Sequence, residues 1–326
     1  MLVIFLQALL VSLFFFGVGL RIYKGKSKRW GGVVLVASFL ILVLGHRELE
    51  MTKQLQGLLW GAVSILLFGL WDDNKNLSWF KQLLFQIFLV GLLVWFGFQV
   101  DFFRGPGEMI FRLDGVVWQG VFLGSVIFIF FWVVSIINAI NWLDGIDSSL
   151  GVVSLWGGLS LVFVSLLPEV NQPAVAILAV IFLGTIGGFL LFNLPPAKVE
   201  AGTVGSYWVG FLLSALAIVA GSKIITLMII LVLPLLDFGW VIGLRLRKKQ
   251  VIFLKDKNHL HHRLKKIGWD DRMIFLSYFV FLGVVLTAYS LVPSREVRMM
   301  ILGGEIIFLS GFFIWVERKL LLKKVK

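Results

Sequence analysis

The stretch "INAINWLDGIDSSLG" (residues 136–150) places Asn138, Asn141, Asp144 and Asp147 at successive spacings of three, between apolar runs. A second acidic pair, Asp72 and Asp73, stands in "WDDNKN", with Lys81 soon after. A third cluster, "VIFLKDKNHLHHRL", gathers Asp256, His259, His261, His262 and Arg263, and so holds three of the four histidines. A fourth, "FNLPPAKVEAGTVGSY", carries Lys198, Glu200 and Thr203. Adjacent carboxylates repel, and near a low-dielectric boundary the repulsion is costly unless a cation sits between them. Magnesium takes oxygen ligands and binds through one or two carboxylates plus substrate phosphates. His, Lys and Arg opposite those carboxylates can hold anionic oxygens. The chemistry suggested is a site for a metal ion and phosphates.

Each cluster also has an ordinary structural account. An Asp-Asp pair at a helix end can be a solvated terminus or cap. Asp-Gly favours turns. The His-x-His-His run could bind zinc, although no cysteine is present to join it. Lys81 and Lys198 can be snorkelling basic residues. The gathering of all four clusters on one membrane side favours chemistry over these separate accounts.

That gathering depends on the elements between them. The chain has 326 residues, 59% of them hydrophobic, against about 45–50% in a soluble domain. Crossing a bilayer takes about 20 apolar residues. Eleven spans are expected, at 1–20, 31–45, 55–71, 80–100, 118–140, 149–167, 173–193, 206–222, 224–245, 273–293 and 298–317. The first has its basic residues after it rather than before, which reads as a retained helix and not a cleaved signal. With the N-terminus outside, the inner segments and adjoining helix ends hold 23 of the 30 Lys and Arg. That asymmetry marks the inner side as cytoplasmic. It also accounts for the net charge of +12 without nucleic acid. The absence of cysteine rules out disulfides and thiolate metal sites. The expected fold class is an all-α polytopic membrane protein of about eleven transmembrane helices, with a cleft on the cytoplasmic face. The longest polar interval, 246–272, is an inner loop carrying the histidines.

Five stretches resemble one family, the polyprenyl-phosphate N-acetylhexosamine-1-phosphate transferases, which include the phospho-N-acetylmuramoyl-pentapeptide transferases. "GLWDDNKNLSWFKQLLFQ" resembles the family's Asp-Asp motif, and "NAINWLDGID" its N-x-x-N-x-x-D-G-x-D motif. "FNLPPAKVEAGTVGS" resembles its F-N-x-x-P-A-K-V-F-M-G-D-x-G-S loop. "LPLLDFGWVIGLRLRKK" resembles a Pro-x-x-Asp helix ending in basic residues, and "DKNHLHHRL" its histidine loop. The His-x-His-His form is similar to the N-acetylglucosamine-type branch. One position departs from the pattern. Thr203 stands where the family has an aspartate associated with magnesium, and Glu200 where it has an aromatic. Three readings follow: Glu200 supplies the missing charge, the remaining aspartates hold the metal alone, or turnover has been lost.

The resemblance implies one transferase domain over 1–326. It would move a sugar-1-phosphate, N-acetylglucosamine-1-phosphate first among them, from a UDP-sugar to a polyprenyl phosphate such as undecaprenyl phosphate, releasing UMP. Asp72 and Asp73 are then the expected catalytic pair. Asn138, Asn141, Asp144 and Asp147 are expected at the nucleotide-sugar, and Lys81, His259, His261, His262 and Arg263 at diphosphate or lipid phosphate. Magnesium, or manganese, would meet Asp72, Asp73, Asp144 and Asp147, with Glu200 a further candidate. Asp237, about 12 Å inside the ninth span at 1.5 Å per residue, is expected behind those residues. Glu305 is expected to be groove-facing or partnered. Expected partners are the UDP-sugar, the lipid phosphate and the membrane, with a homodimer left open and no nucleic acid. Two rivals remain: a catalytically impaired scaffold that binds lipid-linked sugar, and a secondary transporter, although no inverted repeat is evident.

Overall fold

The computed structural model describes residues 1–23, 28–105, 109–118, 120–220, 224–249, 259–292 and 294–325. The apolar runs form helices, the conformation that satisfies every backbone N–H and C=O within the segment itself. In order they are α1 (Leu2–Ile22), α2 (Gly31–Gly45), α3 (Lys53–Lys75), α4 (Trp79–Trp95), α5 (Leu123–Leu143), α6 (Ser149–Ser165), α7 (Pro173–Asn193), α8 (Gly202–Val219), α9 (Ile224–Arg247), α10 (Leu260–Ile267), α11 (Asp271–Leu291) and α12 (Arg295–Val325). Eight are long and apolar enough to cross a membrane. The other three apolar helices, α2, α4 and α6, have 15, 17 and 17 residues, short of a full crossing by length alone.

Several segments differ from the sequence expectation. Helix α4 ends at Trp95 rather than 100, and α12 runs to Val325 rather than 317. The fifth span, expected from residue 118, begins at Leu123. The residues before it form small antiparallel hairpins, β1 (Phe102–Arg104) with β2 (Ile110–Arg112) and β3 (Val117–Trp118) with β4 (Val121–Phe122). Their aromatic and β-branched residues are as apolar as a span but favour strands, and Gly120 at φ +80° supports the turn. The eighth span starts four residues early, at Gly202, so Thr203 lies in the first turn of α8. The loop expected over 246–272 contains a short helix, α10. Asp256 lies outside the described residues.

Helix α8 is the centre of the molecule. It contacts α2, α3, α5, α6, α7 and α9, and Tyr207, Trp208, Phe211 and Leu212 are fully buried. Small residues permit this crowding, as in other membrane bundles. A Cβ on Gly32 of α2 would collide with the backbone N of Gly205, and one on Gly69 of α3 would stand 2.7 Å from the Val204 Cα. Both contacts bring neighbouring helices against the first turn of α8.

Glu305, in α12, is buried, and neither carboxylate oxygen has a hydrogen-bond partner among the described residues. The expected partner is not seen there.

Candidate active site

Asp72 and Asp73 occupy the last turn of α3, which stops at Asn76 in the left-handed region (φ 47°). The following turn wraps the Asp72 carboxylate. Leu77 N–H and Gln82 Nε2 donate to its Oδ1 at 2.9 and 3.0 Å, and Thr203 Oγ1 donates to Oδ2 at 2.7 Å. Asp73 takes a different donor: the Thr203 backbone N–H reaches its Oδ1 and Oδ2 at 3.0 and 3.1 Å. That N–H is one of the first-turn donors no helix can satisfy internally, and it lies at the positive end of the α8 dipole.

Helix α5 runs through Leu143, so the spacing of three holds to the end. Asn138, Asn141 and Asp144 line one cleft together with Asp72 and Asp73. Ser206 Oγ donates to Asn141 Oδ1 at 2.7 Å, and Asn138 Nδ2 donates to Gln86 Oε1 at 2.8 Å. Burial pushes the Asp144 carboxyl well above the usual carboxylate range. The nearby charge of Glu200 adds to the rise, while a hydrogen bond from Gly202 N–H opposes it. Two carboxylates, Asp73 and Asp144, are thus brought to the N-terminus of α8.

Asp147 leaves this group. Ser148 adopts a left-handed backbone (φ 64°), and Asp147 Oδ2 accepts from Ala197 N at 2.8 Å. It pins the 194–201 loop, which carries the cis Pro195–Pro196 bond. Asn193 holds that loop too, donating from Nδ2 to Val199 O at 2.7 Å and accepting from Ser148 N at 2.8 Å. Lys198 is exposed and outside the cleft lining. Glu200 pairs with Arg29, Nε to Oε2 at 3.6 Å, beside the cleft.

The histidine segment is anchored from below by Asp237. Its Oδ2 meets His259 Nδ1 at 3.0 Å, and its Oδ1 accepts from Leu260 N at 2.7 Å. Asp237, expected behind the site, thus lies against His259 and the backbone of Leu260. With Nδ1 engaged, Nε2 is the nitrogen left for the cleft, which His259 and His262 both line. Trp142 also lines it and packs on the His259 ring, with centroids 4.4 Å apart. His261 is buried, and burial first, then the neighbouring His262, pushes its imidazole well below the ordinary value.

Three expected phosphate contacts lie outside the cleft lining: His261, which is buried, Arg263 and Lys81. Arg263 is buried away from the cleft lining, with Nη1 2.7 Å from Glu317 Oε1 and its guanidinium over Trp240 and Phe313. It fastens α10 to α12. Lys81 is exposed, with Nζ 5.6 Å from the Trp71 ring centre, and does not line the cleft. Residues that the sequence reading left without a role do line it: Arg29, Trp79, Gln82, Gln86 and Trp142. Gln86 also donates to the buried Tyr207 hydroxyl at 3.2 Å. Gln82 and Gln86, one turn apart in an apolar helix, were the available signal.

The cleft has a volume of about 270 Å³. A larger cavity, about 770 Å³, opens at the opposite ends of α3, α7 and α8, and is lined by Glu48, Glu50 and a mostly apolar floor. It lacks the histidines, asparagines and paired aspartates, so the chemistry belongs to the smaller cleft. Among the described residues no three His, Asp or Glu side chains already form a metal cage. The donor set still suits a hard cation: two oxygen-bearing groups, Asp73 and Asp144, lie close enough for their charges to interact, and substrate phosphates complete such a shell.

Comparison with known proteins identifies the family. The model of glycosyl transferase family 4 matches residues 55–221, just over half of the chain. The chain is 30% identical over 309 residues to the probable undecaprenyl-phosphate N-acetylglucosaminyl 1-phosphate transferase of Bacillus subtilis, covering 91% of this chain and 79% of that protein. It is 28% identical over 288 residues to the phospho-N-acetylmuramoyl-pentapeptide-transferase of Sulfurimonas denitrificans, covering 79% and 78%. It is 29% identical over 251 residues to the decaprenyl-phosphate N-acetylglucosaminephosphotransferase of Mycobacterium leprae, covering 69% and 61%. The chain therefore belongs to glycosyl transferase family 4, as a multi-pass membrane transferase.

Proposed function

We propose that the protein transfers N-acetylglucosamine-1-phosphate from its UDP-sugar to undecaprenyl phosphate at the cytoplasmic face, releasing UMP. The names of the Bacillus and Mycobacterium relatives support the sugar-phosphate and the polyprenyl acceptor. The observation that carries the reading is the cleft lined by Asp72, Asp73, Asn138, Asn141, Asp144, His259 and His262, drawn from α3, from α5 and the residue after it, and from α10 and the residue before it.

In the reaction an oxygen of the lipid phosphate attacks the donor phosphorus that bears the sugar. The bond from that phosphorus to the bridging oxygen breaks, and UMP departs with this oxygen. The products are the polyprenyl-diphospho-sugar and UMP. Asp73 and Asp144 would hold the magnesium, which when bound offsets the charge of the diphosphate and the leaving group. Asn141 lines the cleft as the residue for a uracil edge, while both Asn138 Nδ2 hydrogens are engaged by Gln86 Oε1 and Val134 O. His259, fixed by Asp237, presents Nε2 to a phosphoryl oxygen. The acceptor phosphate has a second pKa of about 6, so proton removal contributes little near pH 7 and positioning contributes most.

Thr203 bears on the scaffold alternative. Its hydroxyl and N–H satisfy Asp72 and Asp73 without a third carboxylate, which supports a working site built on two carboxylates. The family match does not favour a transporter. The test is UMP release from a panel of UDP-sugars, with undecaprenyl phosphate and magnesium. Release from UDP-N-acetylglucosamine supports the reading. Binding of UDP-sugar without UMP at any magnesium concentration supports the scaffold.

A further inference from the structure

A diphosphate entering the cleft needs a cation among the side chains it meets. Lys81 and Arg263, which the sequence offers for that task, lie over Trp71 and against Glu317 instead. Among the described lining residues, Arg29 is the one permanently charged cation. It sits just before α2, held in place by backbone bonds from Glu200 N to Lys28 O and from Gly31 N to Glu200 O. Its side chain is about half exposed, and its Nε stands 3.6 Å from Glu200 Oε2. It borders the acidic group directly. A Cβ placed on Gly202 would lie 2.7 Å from Asp73 Oδ2 and 3.2 Å from Arg29 Cβ.

We propose that Arg29 is the diphosphate-gripping residue of this cleft, and that it changes partner on loading: it balances Glu200 and the neighbouring aspartates in the substrate-free cleft, and turns to phosphoryl oxygens when a metal-diphosphate enters. This inference rests on the UDP-sugar reading of the site. The physical logic is exchange of like for like. A divalent cation arriving at Asp73 and Asp144 repels the guanidinium and takes over its balancing role. The planar guanidinium fork matches two phosphate oxygens at once. A long, half-exposed side chain can make that move without shifting the backbone.

The test uses the full chain in lipid nanodiscs, with Arg29→Gln and Arg29→Lys. Manganese binding without nucleotide is read by electron paramagnetic resonance of free Mn2+, and UDP binding with Mn2+ by calorimetry. Arg29→Gln is expected to bind Mn2+ as tightly as the wild type or a few-fold more tightly, because a repelling charge is gone. Its UDP affinity is expected to fall by about tenfold or more, the size of a lost charge-assisted pair. Arg29→Lys is expected to keep wild-type Mn2+ binding and recover part of the UDP affinity. If Arg29→Gln weakens Mn2+ and UDP alike and lowers the melting temperature, Arg29 is only a clamp for the loop and the proposal is overturned. It is overturned also if UDP affinity stays within about twofold of wild type. A wild type that binds Mn2+ but no UDP instead sinks the UDP-sugar reading itself.

Discussion

At Thr203 two donors on one residue serve two adjacent carboxylates, the hydroxyl for Asp72 and the N–H for Asp73. An aspartate there would keep the N–H but replace the hydroxyl donor with a third negative charge. Thr203→Asp is therefore expected to lower the melting temperature without divalent cation, to lower the magnesium concentration giving half-maximal activity, and to keep or raise turnover. Melting curves and UMP release across a magnesium series check this, and a severe loss of activity would show that the site has been rebuilt around threonine. Asp73 accepts from Thr203 at the helix terminus, whereas Asp72 is enclosed by three donors. Asp73→Asn is expected to cut turnover by at least about 100-fold, the scale for losing one group that stabilises transferring charge, with expression unchanged. Near-normal turnover would remove Asp73 from the chemistry. At Asp144 a proton and a metal compete, because burial holds the carboxyl pKa high. Apparent Mn2+ affinity should therefore fall as pH drops through that raised value, and Asp144→Asn should flatten the dependence. A pH-independent affinity in the wild type would contradict this.

Elements decide whether these residues meet. Gly32 lets α2 lie against Gly205 in the first turn of α8, the turn that supplies the Thr203 N–H. Gly32→Ala is expected to destabilise by about 1–3 kcal/mol, the cost of overpacking a tight contact, and to lower turnover by moving α8. Unchanged melting and turnover would show that the contact has slack. Helix α10 carries a pH dependence through His261, whose folded pKa lies well below its ordinary value. The unfolded imidazole titrates near 6.5. Below that pH the unfolded chain binds a proton the folded chain refuses, so stability falls as pH drops, by up to about 1.4 kcal/mol per unit. Above about pH 6.5 both forms are neutral and the effect vanishes. Thermal unfolding at pH 5.5 and 7.5 should show a larger acid loss in the wild type than in His261→Gln; equal losses would exclude His261 as the source. Helix α5 separates what was legible in the sequence from what was not. Spacing of three on α5 puts Asn138, Asn141 and Asp144 on one face, and the cleft contains all three. The same spacing fails for Asp147, because α5 ends at Leu143 and the chain turns through Ser148. Arg263 was illegible for another reason: its partner Glu317 is 54 residues away, and nothing local fixes where its side chain points. Arg29 sat unnoticed in a basic loop that read as a topology signal.

For the whole molecule, charge asymmetry and helix order place the site clusters at one end of the bundle. The end that α3, α5 and α9 share after their last turns holds the cleft, while Glu48 and Glu50 border a cavity at the other end. Hydropathy located the long helices well because every buried backbone group must be satisfied within its segment. It read Trp118 and Val121–Phe122 as the start of a span because aromatic strands and apolar helices share a composition, whereas β1 and β2 fall in the interval between spans. The chain contains no cysteine, so single cysteines report orientation without background. In Glu48→Cys the thiol should react with a membrane-impermeant maleimide added outside intact cells, and in Lys198→Cys only after lysis; the reverse pattern would overturn the proposed orientation. We propose that polar groups from separate helices form one site that moves a phosphorylated sugar onto a lipid. The most direct measurement of this is UMP formed by purified protein from UDP-N-acetylglucosamine, undecaprenyl phosphate and magnesium. The account expects stoichiometric UMP and lipid-diphospho-sugar, both lost on adding chelator and in Asp73→Asn. Tight UDP-sugar binding with no UMP under any of these conditions would contradict it.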